Sequence, residues 1–308
     1  MTYRAGGRCA ACYARVAWML VSLSACAWGD GLKNALACYD LAQPDVRYQY
    51  ARSLREPSGL AYAHEGAVLT HDDNVSTLYL MRHMDPAPPQ LWNSQLPVVK
   101  GDFEGVAVLD GYVYLLASSG VLFRTHLEQH AGDAGLQRVT TGIEGRCNFE
   151  GLAARPGSGE LILACKYINE PPHPSRDEVH LYRFDAHSLR ADPQAIVVDV
   201  SAVRKSHRLR RLRPSGIEWL PTRQRYMLLA GKERLLLELD SAFSVVGATR
   251  LPRKFHRQAE GLTVDGRDRL IITDEAHGRA ATLSVYSPGG QCSTVAPRGR
   301  PRWLSTRN

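Results

Sequence analysis

A glycine followed by an apolar run recurs five times along this chain, at Gly59, Gly105, Gly151, Gly216 and Gly261. The fullest copy is Asn148 to Lys166, NFEGLAARPGSGELILACK. It opens on Glu150-Gly151, runs through Leu152-Ala153-Ala154, turns over Pro156-Gly157-Ser158-Gly159 and returns as Leu161-Ile162-Leu163-Ala164. Two extended runs joined by a Gly-rich turn make a β-hairpin. The opening recurs as GDFEGVAV and QAEGLTV, with variants EPSGLAY and RPSGIEW, and the spacings are 46, 46, 65 and 45 residues. For a sheet-forming repeat, a period of about 40 to 50 residues means the blades of a β-propeller.

The expected fold is therefore all-β, a single propeller over residues 46–297 with five blades, or six if both termini build an extra sheet. Each unit repeats short apolar runs: GLAY, AVLT and STLYLMR in the first, GVAVL, YVYLLA and VLFRTHL in the second, GIEWL, YMLLAG and RLLLELD in the fourth. The long third spacing is too short for two blades, and two loop-like insertions, Asn169 to Glu178 and Arg204 to Pro214, account for it. Val46 to Tyr50, VRYQY, alternates like a strand and is expected to complete the last blade, which closes the ring and removes exposed sheet edges.

The N-terminus reads as an export signal, residues 1–25. Arginines without acids are followed by the apolar run Val16 to Ala25, too short to span a bilayer. Leu23-Ser24-Ala25-Cys26 resembles a bacterial lipobox, in which the cysteine becomes the lipid attachment site. That resemblance implies a membrane partner through the lipid, and Ala27 implies sorting to the outer membrane, on its periplasmic side. The alternative is an ordinary cut near Ala25-Cys26-Ala27. Residues 26–45 are expected as a tether, with a turn of helix around Leu32 to Leu41, and residues 298–308 as a basic disordered tail. Cys9 and Cys12 fall in the leader, where their C-x-x-C spacing carries no metal or redox role. Export predicts disulfides among Cys38, Cys147, Cys165 and Cys292. Of three pairings, the favoured one joins Cys147 to Cys165 across one hairpin and Cys38 to Cys292 across the closing seam.

The first two strands of a blade are antiparallel, so the start of one and the end of the next share a face. That places Glu56, Glu104, Glu150, Glu218 and Glu260 around one mouth of the channel, with Asp72, Asp73, Lys166, Lys232, Asp274 and Glu275 from the returning strands. Converging carboxylates suit calcium, which takes about six to eight oxygen ligands, and Glu104, Glu150 and Glu260 are the candidate set. The structural alternative has the glutamates locking adjacent blades through backbone N–H groups, or pairing with Lys166 and Lys232. No G-x-S-x-G, H-E-x-x-H, Walker or G-x-G-x-x-G pattern is present. Ser58 and Ser215 are read as hydroxyl caps. His71, beside Asp72 and Asp73, is the acid/base candidate if the mouth is catalytic. The run from Arg204 to Arg213 holds six Lys or Arg in ten residues; in an exported protein its partner is an anionic envelope polymer or lipid rather than nucleic acid, unless it is a solvated loop.

The phrases EPSGLAY, DFEGVAV, NFEGLAARPGSGELILACK, PSGIEWL and QAEGLTVDGRDRLIITDEA, in this order, resemble the SdiA-regulated family of bacterial β-propeller proteins over roughly residues 50–290. The phytase-like and calcium-dependent lactonase propellers are more distantly similar. Ser118-Ser119, Lys166 and Lys232 stand where relatives often carry acids, which argues against a shared metal site. The expected function is a monomeric, non-catalytic ligand-binding or scaffold module of the envelope. The alternative is a calcium-dependent hydrolase of phosphoesters or lactones.

Overall fold

The computed structural model describes residues 35–50, 54, 56–85, 87–92, 96–128, 135–169, 175–276, 278–289 and 292. Residues 1–25, expected as an export leader, Cys26 and residues 298–308 lie outside these. Among the described residues no helix is long and apolar enough to cross a membrane.

Strand β1 (Val46–Gln49) precedes five antiparallel sheets. Blade one is β2 (Pro57–His64), β3 (Ala67–Asp72), β4 (Leu78–Arg82) and β5 (Gln90–Leu91). Blade two is β6 (Phe103–Leu109), β7 (Tyr112–Ala117), β8 (Leu122–His126) and β9 (Gln137–Val139). Blade three is β10 (Cys147–Arg155), β11 (Glu160–Ile168) and β12 (Glu178–Asp185), whose outer edge pairs with both β13 (Arg190–Ala191) and β14 (Ile196–Asp199). The helix α1 (Ser201–Ser206) follows, so the basic insertion opens as a helix rather than a loop throughout. Blade four is β15 (Gly216–Leu220), β16 (Arg225–Ala230), β17 (Leu235–Leu239) and β18 (Val245–Arg250). Blade five is β19 (Ala259–Val264), β20 (Leu270–Asp274) and β21 (Thr282–Tyr286), completed by β1 with Val46 opposite Val285. The propeller has five blades, closed by its N-terminal strand.

The innermost strands β2, β6, β10, β15 and β19 neighbour one another in a closed ring, and the recurring glycine makes that possible. A Cβ on Gly59 would lie 2.9 Å from Val106 N, one on Gly105 3.1 Å from Leu152 N, and one on Gly151 3.0 Å from Gly216 Cα. On Gly216 it would lie 2.9 Å from Glu260 O, and on Gly261 3.3 Å from Gly59 C. Each motif glycine therefore touches the next blade's motif backbone, a separation that leaves no room for a side chain. The waist they form has a cavity volume of about 10 Å³, room for one water at most.

Five apolar clusters fill the five blade junctions. Between blades three and four, for example, Ile162, Leu181 and Val198 pack on Trp219, Tyr226 and Leu237. Both faces of the middle strands are covered, so LLLEL and RYMLLA read as nearly continuous apolar runs rather than alternating ones. Residues 35–45, expected within the tether, join this core: a 3-10 turn at Ala35–Cys38 buries Ala35, Leu36 and Cys38, and Leu36 N donates to buried Glu238. Cys38 is bonded to Cys292 and Cys147 to Cys165, with Cα separations of 5.4 and 5.7 Å.

Candidate functional site

The motif glutamates reach the channel through a backbone irregularity. In blades two, three and five the strand register slips across Phe103/Gly105, Phe149/Gly151 and Ala259/Gly261, leaving Glu104, Glu150 and Glu260 each as the extra residue of a β-bulge. A bulge re-aims the side chain it carries. Here the three carboxyls meet above the glycine waist, and Lys166, from the end of β11, places its Nζ 2.8 Å from Glu150 Oε1.

Crowding and partial burial govern their protonation. Glu104 is pushed up to about 10, by burial first and then by the charges of Glu150, Asp102 and Glu260. Glu260 rises to about 8 through burial and the neighbouring Glu275 and Glu150. Glu275 rises to about 7 by burial first, then by Glu56 and Asp73, and Asp73 rises to about 7 by burial first, then by Glu56 and Asp72. Glu150 is raised by burial against the opposing pull of Lys166, and Lys166 is itself raised by Glu150, Glu260 and Glu104. Many carboxyls thus surround one ammonium and are held partly protonated near neutral pH. Gln258 Nε2 donates to Glu275, and Asn74 Nδ2 to Asp73 and Glu56. Asp72, tied to Asn74 N, borders the same cluster.

Four sequence-expected positions lie elsewhere or act differently. Glu218 is below the waist: it occupies the second position after Gly216, where the other blades carry Ala61, Ala107, Ala153 and Thr263. It lines a separate chamber of about 340 Å³ with Tyr62, Trp219 and Thr222, bonded to Thr263 Oγ1 at 2.7 Å, and is pushed up to about 8 by burial. Lys232 is exposed in the turn after β16, lining a different concavity, so of the two expected lysines Lys166 is the one that serves the acid ring. Asp274 is buried and clasps the chain, accepting from Gln258 N at 3.2 Å and sitting 2.8 Å from His256 Nδ1. His71 is fully buried, its ring against Gly59, and its pKa is lowered to about 4 by burial. The imidazole is therefore enclosed and neutral near pH 7.

Glu218, bonded to Thr263 of blade five, and Glu150, paired with Lys166, act in part as the expected locks, and other groups tie the blades as well. Ser215 Oγ accepts from Gly231 N at 3.0 Å and donates to Ala259 O at 3.1 Å, tying blade four to blade five as a hydroxyl cap. Thr273 Oγ1 donates to Pro57 O across the closing seam. Among the described residues no group of three or more His, Cys, Asp or Glu is disposed to hold a metal ion. Asp102, Asn74 and Gln258 are mouth residues that lie outside the repeating positions. Asp102 was detectable, standing two residues before Glu104 in DFEG.

No family model and no curated protein matches the sequence. Among solved structures, the chain is similar to the glutaminyl cyclase of Myxococcus xanthus, with a TM-score of 0.53 and 18% identity, over 82% of this chain and 97% of that one. It also matches a nidogen/laminin complex with a TM-score of 0.43 and 15% identity, over 79% of this chain and 84% of that one. At these identities the likeness to the cyclase speaks for the propeller fold alone.

Proposed function

We propose that the chain is an exported, lipid-anchored β-propeller of the cell envelope, of the SdiA-regulated kind, whose acid-rich mouth binds a small organic cation. The observation that carries this reading is the crowding of Glu104, Glu150, Glu260 and Glu275 around the single Lys166. An entering ammonium donates up to three N–H bonds and relieves the repulsion that holds these carboxyls protonated. Binding is therefore coupled to proton release. The waist beneath makes the mouth a shallow dish, suited to a charged end-group rather than a threaded chain. Support for anchoring comes from Leu23-Ser24-Ala25-Cys26 after an apolar leader.

A second reading is proton-transfer catalysis at the same mouth. Asp73 and Glu275 near 7 and Glu260 near 8 match the range in which general acids and bases work best at neutral pH. The glutaminyl cyclase is a precedent for an enzyme on this fold, although a shared fold does not carry activity with it.

Calorimetry of the full chain with putrescine, glycinamide and calcium tests both. Saturable amine binding with proton release, lost in Glu104→Gln/Glu260→Gln, supports the first reading. Conversion of glycinamide during incubation, seen by mass spectrometry, moves the assignment to the second. Binding of calcium alone replaces the amine with a metal, and no heat from any of the three sinks the mouth as a cation site.

A further inference from the structure

On the same face as the acid mouth lies a second concavity, of about 950 Å³, with the opposite charge. The segment after α1 supplies Arg208, Arg210, Arg211 and Arg213, and the turn between β16 and β17 supplies Lys232 and Arg234. Arg176 and Arg250 complete the wall. The one carboxylate in the lining, Glu233, is already committed to Arg213 at 2.7 Å. Tyr167, next to Lys166 of the mouth, accepts from Arg213 Nη1 at 3.2 Å, so the two sites share a wall.

Few of these cations are tied into the fold: Arg213 pairs with Glu233, and Arg250 Nη2 donates to His207 O at 2.7 Å. Arg183, Arg225 and Arg269 elsewhere each face a carboxylate. In the bowl, the side chains of Arg208, Arg210, Arg211, Lys232 and Arg234 have no hydrogen-bond or ion-pair partner among the described residues. Arg208 and Arg234 also hold left-handed backbone, at φ 54° and 51°, a conformation that favours Gly or Asn. Clustered like charges on strained backbone repel one another unless an anion sits between them.

We propose that this bowl binds a small ligand carrying several phosphate groups. Arginine forks predominate over the single lysine, and the guanidinium matches phosphate oxygens two at a time. A phosphomonoester brings roughly −1.5 to −2 charge at neutral pH, so it neutralises this density in less volume than single-charged carboxylates or sulfates. The volume is at the upper end for small-molecule pockets, about 300 to 1,000 Å³, which suits several phosphates on one scaffold rather than one free ion. A soluble phosphorylated molecule and a lipid headgroup both present this chemistry.

The test uses the purified full chain with inositol hexakisphosphate as probe, followed by calorimetry at low and high salt. Saturable binding is expected, at least about tenfold tighter than inorganic phosphate and weakened as salt screens the charges. Arg211→Glu with Lys232→Glu should weaken it at least about tenfold. Both side chains are exposed, so an unchanged melting temperature confirms that the fold survives. Glu104→Gln should leave it unchanged, which separates this site from the mouth. Displacement of the probe by phosphatidic acid vesicles assigns the lipid headgroup as source; retention of the probe against them assigns a soluble ligand. Absence of saturable binding, or equal binding by the double charge reversal, overturns the proposal.

Discussion

Replacing Glu104 with Gln separates a carboxyl that is crowded for binding from one that locks the fold. The sign follows from linkage. The Glu104 carboxyl titrates near 10 in the folded chain against 4.5 when unconstrained, so between those values the folded state holds a proton that the unfolded state has released. Stability is full below the ordinary carboxylate value and is lost progressively as pH climbs toward 10. Each pH unit in that window is worth at most about 1.4 kcal/mol. Water at the mouth and the neighbouring Lys166 screen the group, so about 1 to 2 kcal/mol in total is expected between pH 5 and pH 8. Glutamine keeps the shape and removes the titration. Glu104→Gln should therefore melt close to wild type near pH 5 and higher near pH 8, by roughly 2 to 8 °C at about 2 to 4 °C per kcal/mol. Thermal melts of both proteins across that range measure it. A Gln variant that is less stable by the same amount at both pH values would show that the carboxylate is a structural lock and that the crowding argument is wrong.

Three further outcomes are expected. Gly151→Ala places a Cβ 3.0 Å from Gly216 Cα and Ile217 N, and because those are backbone atoms of the next blade the variant should lose about 1 to 3 kcal/mol; an unchanged melt contradicts the waist geometry. Removing the Cys38–Cys292 bridge with paired serines should cost about 2 to 5 kcal/mol and expose the closing seam first, read as faster hydrogen exchange in β1 and β21 than in blade two; uniform exchange refutes the order. Cys26→Ser should abolish fatty-acid incorporation and release the chain from membranes, and wild-type protein without incorporated fatty acid removes the anchor from the proposal.

The sequence alone determined the architecture, because a propeller is written in one dimension: each blade is a contiguous segment, and its period survives as glycine spacing. The closing strand Val46–Gln49 and the Cys38–Cys292 pairing were legible because a closed ring must join its ends, and Cys147–Cys165 because its two cysteines flank one hairpin. The mouth was legible in part. Glu104, Glu150, Glu260 and Lys166 were placed by counting strand ends, but the bulges that aim the three glutamates inward are a register property of paired strands and leave no local signature. Glu218 shows the limit most clearly. It shares a motif with the others, yet stands two residues after its glycine on a regularly paired strand, opposite Met227, and so enters the chamber below the waist. Lys232 and the arginines after α1 came together only in three dimensions, since the 231–234 turn and the 208–213 segment belong to separate connections that fold over the same edge of blade four. Spacing along a chain orders the blades; which side of the waist a side chain occupies depends on strand register and on the neighbouring blade, and those are decided by tertiary packing.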